Sequence, residues 1–194
     1  MKYLYDVPIC SNSLFIYELD LKEDLISKFK KEKYLEIDRS VRSEDLNILQ
    51  KYKELNKEIT KAVDATIKDV LMLENVNYKI FSSWITKTSP NRFSKPHSHA
   101  NSWLSGVYYP KGNAGFAIKF YNDHVTQFYT PPKKFNIHNS AEWIIRPENN
   151  HLILFFSQLR HKIMTNISNE DRYSLAFNVL PKGKFGDGDS TVVF

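Results

Sequence analysis

From Tyr78 onward the chain is written in short runs of period two, and this texture constrains the fold more than any other feature. Alternating apolar and polar positions belong to half-buried strands, whose successive side chains point to opposite faces. Strands are expected at 13–19, 78–86, 102–109, 115–121, 142–147, 151–156, 161–165 and 172–180. Turns fall at 111–113, 148–150 and 167–171, and a loop with two prolines at 88–96. Residues 123–141 are polar, contain Pro131-Pro132, and read as a long excursion and candidate lid.

Ahead of the strands the period changes to that of a helix. Asp20-Leu21-Lys22-Glu23 has the form of a capping box, opening a helix to about residue 33 with Leu21, Leu25, Ile26 and Phe29 on one face. From Ser43, apolar residues recur at Leu46, Leu49, Tyr52, Leu55, Ile59, Val63, Ile67 and Val70, always three or four apart. That predicts one long helix bracing a sheet. Helices followed by short antiparallel-type strands give the expected class: α+β, mainly β, a double-stranded β-helix (jelly roll, cupin-like) braced by N-terminal helices. One domain over 1–194 is expected, helical at about 20–72 and with its jelly-roll core at about 78–181, because the helices need the sheet to bury their apolar stripe.

Composition excludes several function classes. The net charge is +5, but 27 basic residues are diluted among 22 acids, which argues against a nucleic-acid footprint. Cys10 is the sole cysteine, so no intramolecular disulfide exists and a reducing, cytoplasmic setting is expected. No apolar run has the length of a membrane span, and no signal-peptide pattern opens the chain. Oligomeric state is left open, a homodimer included.

The chemistry gathers at His97-Ser98-His99. In an extended segment these two imidazoles project to one side and form half of a metal site. A jelly roll brings distant strands together, so His161, after the apolar strand at 151–156, can complete a facial triad with positions left open on an octahedral metal. His124, His138 and His151 read as structural. Arg172 and Ser174 share a strand face with Ala176 and Asn178, while Tyr173, Leu175, Phe177 and Val179 take the other. An arginine on an inner barrel face is an expensive charge unless an anion meets it, and a ligand carboxylate fits its planar fork. Trp84, Trp103 and Asn101 are candidate substrate contacts at the mouth, with Asn101 or water an alternative to His99 as ligand.

These motifs resemble those of the 2-oxoglutarate- and Fe(II)-dependent oxygenases. The stretches 97–109, 115–120, 155–161 and 172–178 are similar to a prolyl-4-hydroxylase-like branch, some of whose genes marine phages carry. The resemblance covers about half of the chain. It implies Fe(II) on His97 and His161, with Arg172 and Ser174 holding the distal carboxylate of 2-oxoglutarate and Tyr108 or Tyr109, and Asn178, also on that co-substrate. It implies that 2-oxoglutarate and O2 are consumed, that a C–H bond of a protein side chain or small molecule is hydroxylated, and that succinate and CO2 leave. His99 stands where the wider superfamily has Asp, giving a three-imidazole site that also suits Zn(II). The competing expectation is a cupin-like metal-binding module without oxygenase turnover.

Overall fold

The computed structural model describes residues 5, 12–37, 40–123, 130 and 132–193; Cys10, His124 and Pro131 lie outside them. The elements in order are β1 (Leu14–Glu18), α1 (Leu25–Phe29), β2 (Tyr34–Ile37), β3 (Ser40–Ser43), α2 (Lys53–Ala65), β4 (Asn77–Thr88), β5 (Leu104–Tyr109) and β6 (Ile118–Tyr121). They continue as β7 (Glu142–Ile145), β8 (His151–Phe156), β9 (His161–Ile163), β10 (Arg172–Lys182), β11 (Lys184–Phe185) and β12 (Val192–Val193).

The larger sheet runs β1-β8-β5-β10-β4-β3-β2 and the smaller runs β7-β6-β9. An isolated antiparallel bridge between His97 and His161 adds a further chain segment to the edge of the smaller sheet. Period two then decides what each face of the larger sheet does. Tyr108, Leu152, Leu154, Leu175, Phe177 and Val179 face the helices, where they pack with Leu25, Phe29, Leu55, Ile59 and Val63. Each such side chain contributes roughly 1.5–3 kcal/mol when taken out of water. Val107, Tyr109, Ile153 and Phe155 face the other way and meet Ile118 and Phe120 of β6. Gly106 is required on the helix face, since an added Cβ would lie 2.3 Å from the ring of Phe177.

The strands downstream of Tyr78 stand where the alternation put them, with ends moved by a few residues. Upstream the expectations need correction. The first helix is only Leu25–Phe29, capped by Asp24, whose carboxylate accepts from Ser27 N at 3.1 Å. The Asp20 box is not used, because Leu19 N donates to Asn150 O at 3.0 Å and ties that segment to the turn before β8. The long helix expected from Ser43 is instead a strand end, a 3-10 turn at Ile48–Lys51, α2, and a π-helical turn at Thr66–Val70. Buried hydroxyls override the period at its start: Ser43 Oγ accepts from Ile85 N at 3.0 Å and Ser83 Oγ from Leu49 N at 2.9 Å. At the other end Thr66 Oγ1 donates to Ala62 O at 2.9 Å, a bond that competes with the helical ladder. The apolar spacing survives because Leu49, Tyr52, Leu55, Ile59, Val63 and Ile67 are buried in one core whatever turn carries them.

Candidate metal centre

Three imidazoles converge between the two sheets. His97 and His161 are cross-strand partners in the antiparallel bridge, with His97 N to His161 O and His161 N to His97 O both at 2.9 Å. His99 follows two residues on, its N–H donating to Ser157 O at 2.9 Å. One ring nitrogen from each lies within 4.8 Å of the others, and among the described residues this is the one such cluster of His, Cys, Asp and Glu.

Each ring is oriented through Nδ1, and each partner is a carbonyl oxygen. His97 Nδ1 meets Lys95 O at 2.9 Å, His161 Nδ1 meets Leu159 O at 2.9 Å, and His99 Nδ1 meets Asn178 Oδ1 at 2.6 Å. A carbonyl only accepts, so all three Nδ1 atoms carry hydrogen and the three Nε2 lone pairs are left for a ligand. Asn178 is itself fixed: its Oδ1 accepts from Ser105 Oγ at 2.8 Å, and its Nδ2 donates to Ser82 Oγ at 3.1 Å. Burial among Phe155 and Phe120 pushes His161 down to about 3, with His97 and His99 adding to the effect. Burial lowers His99 too, His97 contributing and the Asn178 bond opposing. The neutral form is the one that ligates.

A cavity of about 400 Å³ opens onto the triad, lined also by Trp84, Thr86, Ser174 and Ala176. Trp84 stacks on His99 with ring centroids 5.8 Å apart. Next to the cavity, Arg172 is 1% exposed, and its Nε, Nη1 and Nη2 are all buried without a hydrogen-bond partner. The Tyr109 hydroxyl is buried and unpartnered as well. Phe116 covers the guanidinium at 5.8 Å. Burial lowers the pKa of Arg172 and pushes Tyr109 up to about 12, each group opposing the other's shift. An orphaned guanidinium beside a hydroxyl donor is a ready site for a carboxylate.

A family model described as "Putative 2OG-Fe(II) oxygenase" matches residues 82–178, half of the chain. The chain belongs to this 2OG-Fe(II) oxygenase family. No curated protein sequence matches it. The fold is shared with HygX from Streptomyces hygroscopicus, solved with nickel and 2-oxoglutarate bound, at TM-score 0.65 and 8% identity over 88% of this chain and 83% of that one. A prolyl hydroxylase from Trichoplax adhaerens, in complex with a hypoxia-inducible-factor peptide fragment, gives 0.59 and 13% over 88% and 84%. A 2OG-Fe(II) oxygenase family oxidoreductase from Burkholderia pseudomallei gives 0.58 and 13% over 80% and 75%. Membership decides between the two expectations in favour of the oxygenase over the cupin-like module.

Within this family frame the other expected site residues separate. Ser174 and Trp84 line the cavity. Tyr108 does not: it faces the helix-side core, and its hydroxyl donates to Asn150 Oδ1 at 2.7 Å. Trp103 is half-buried against that same core and is not a cavity residue. Asn101 is exposed in the turn after His99, with φ +54, and faces neither metal nor cavity; asparagine tolerates this left-handed conformation where most residues do not. Asn178 orients His99, its Oδ1 meeting His99 Nδ1 at 2.6 Å. Sequence reasoning missed Arg42, Ser82, Ser105 and Phe116. Ser105 was findable, since it sits at an inward period-two position on the strand beside Asn178; Arg42 fell just ahead of the helix expected from Ser43, in a stretch given no element.

Among the described residues no helix is long and apolar enough to cross a membrane. His138 is exposed, and His151 accepts at Nδ1 from Glu148 N at 3.2 Å, so neither joins the triad. The described residues of the 123–141 excursion do not line the cavity.

Proposed function

We propose that this oxygenase holds Fe(II) through Nε2 of His97, His99 and His161, and binds the distal carboxylate of 2-oxoglutarate at Arg172 and Tyr109, with Ser174 on the wall between. It hydroxylates a C–H bond of a small molecule or protein side chain. One atom of O2 enters that bond and the other enters succinate, as 2-oxoglutarate loses CO2. The metal supplies the redox site at which O2 and the 2-oxo acid meet.

The protein's own part is legible in its residues. The Nδ1 bonds fix three rings before any metal arrives, so little reorganisation accompanies binding. Arg172 orients the co-substrate from its far end, where the bidentate fork matches a carboxylate in geometry and charge. Phe116, Phe120 and Phe155 keep both ends dry. The observation that carries this reading is the buried guanidinium with three unpartnered nitrogens, in one molecule with the histidine triad.

The test is succinate release from 2-oxoglutarate, with Fe(II) and oxygen present and no primary substrate added. Slow, iron-dependent release that disappears in His161→Ala is expected. Binding of 2-oxoglutarate with no succinate under any iron loading would contradict the proposal.

A further inference from the structure

Arg42 lies outside the segment that matches the family model, yet it reaches the same cavity. The strand register explains how. Arg42 of β3 pairs with Thr86 of β4, and Thr86 pairs with Ser174 of β10. Directly paired residues share a face, so the three side chains form a row across the floor of the larger sheet, and all three line the cavity. Neighbouring strands lie about 4.8 Å apart, which puts Arg42 roughly two strand spacings from Ser174. It therefore stands on the same sheet face as Ser174, two strands toward the β2 edge. Its Nε is buried without a hydrogen-bond partner, and no carboxylate of the described residues forms an ion pair with it.

The charge balance of the cavity gives that arginine a meaning. Among the described residues no Asp or Glu lines it, and Arg42 is its one permanently charged side chain. Resting on the proposed function, a divalent metal on three neutral imidazoles together with Arg172 and Arg42 carries four positive charges. The 2-oxoglutarate dianion cancels two, and two remain. Were a carboxylate to stand at His99 and Arg42 be neutral, the same sum would close at zero. A walled cavity focuses such a surplus onto whatever enters. The same lining includes the apolar Ile37, Leu46 and Trp84, with the small hydroxyls of Ser40, Ser82 and Thr86 among them. A volume of about 400 Å³ is that of a small-molecule site.

We propose that Arg42 anchors an anionic group of the primary substrate, and that this substrate is a small molecule with an apolar body and a carboxylate or phosphate at one end. The His-for-Asp exchange and Arg42 are then two parts of one design: together they make the loaded site cationic, and the substrate neutralises it.

The experiment uses the full chain, anaerobic, loaded with Fe(II) and saturated with 2-oxoglutarate. Three probes of similar size are titrated by ligand-observed NMR: benzoate, phenyl phosphate and the neutral benzamide. At least one anion should bind about ten-fold or more tightly than benzamide, and the better of the two identifies the carboxylate or phosphate class. Arg42→Gln should bring both anions down to the level of benzamide, leave benzamide and 2-oxoglutarate binding as they were, and preserve thermal unfolding; Arg42→Lys should keep part of the preference. Equal binding of anions and benzamide overturns the proposal. So do a preference that survives Arg42→Gln, one abolished by saturating 2-oxoglutarate, and a lack of saturable anion binding at millimolar concentration. A protein that takes up no 2-oxoglutarate refutes the proposed function instead. In that event the anion preference is read on the metal-free chain, where its loss in Arg42→Gln still supports the anchor and its absence overturns it.

Discussion

The two ends of the site are built on opposite terms. At the metal end each buried polar atom is answered from within the fold: three Nδ1 atoms meet three carbonyl oxygens, and Asn178 is held by Ser82 and Ser105. At the far end Arg172 and the Tyr109 hydroxyl are buried with nothing to bond. A satisfied network rigidifies its members, whereas a buried unpaired charge costs stability until a ligand arrives. One half is thus preorganised by the fold, and the other, on the proposed function, is completed by the co-substrate. Like-for-like mutations should therefore have opposite signs at the two ends.

The largest effect falls on the satisfied end. His97→Ala and His161→Ala should each lose most bound Fe(II), measured as metal retained after gel filtration, without unfolding the domain. Stoichiometric metal in both variants would break the assignment. Next comes the unsatisfied end: Arg172→Met should stabilise the ligand-free protein, by about 1–4 kcal/mol if it behaves like other buried ions replaced by apolar groups. Denaturant unfolding with and without 2-oxoglutarate reads this directly. A destabilised ligand-free variant would mean that Arg172 already has a partner.

Asn178→Ala sharpens the comparison from within the metal end. It removes the acceptor that orients His99, a change of the kind that weakens metal affinity about 10- to 100-fold, and a competitive chelator titration should show that loss. His99→Asp should keep succinate release, whereas His99→Ala with unchanged metal affinity would remove His99 from the ligand set. The smallest effect is a pH slope. His161 is depressed to about 3 in the fold, chiefly by burial, so the unfolded chain binds the extra proton first. Its contribution to metal-free stability is complete above the ordinary histidine range and is lost as pH falls from there toward 3. A metal-free His161→Gln variant should show a flatter acid limb; an unchanged limb would place the burial effect elsewhere.

What the chain disclosed in advance follows the same physical line. Strands and facing residues downstream of Tyr78 were readable because period two reports burial directly, and the metal end is made of local steps along such strands. Even there, the alternation separated Tyr108 from Tyr109 without saying which face was inner; the helices packed on the Tyr108 face decide it. The stretch around Ser43 was misread because three-and-four spacing is satisfied by any set of turns that buries one stripe. The Ser43 and Ser83 hydroxyls that break the helix act across 42 and 34 residues of sequence. Arg42, just ahead of that stretch, was given no element, and its place in the cavity depends on pairing with Thr86.

On the proposed function, the charge stranded at Arg172 is the seat of 2-oxoglutarate. Anaerobic titration of the Fe(II) protein with 2-oxoglutarate, followed by the metal-to-ligand charge-transfer absorption, tests it most directly. The expected result is a saturable band in the wild type, a loss of about 3–5 kcal/mol of affinity in Arg172→Ala, and incomplete rescue by Arg172→Lys, whose ammonium lacks the bidentate fork. A wild-type protein that holds iron yet shows no absorption change at millimolar 2-oxoglutarate, or an Arg172→Ala variant that titrates like the wild type, would contradict it.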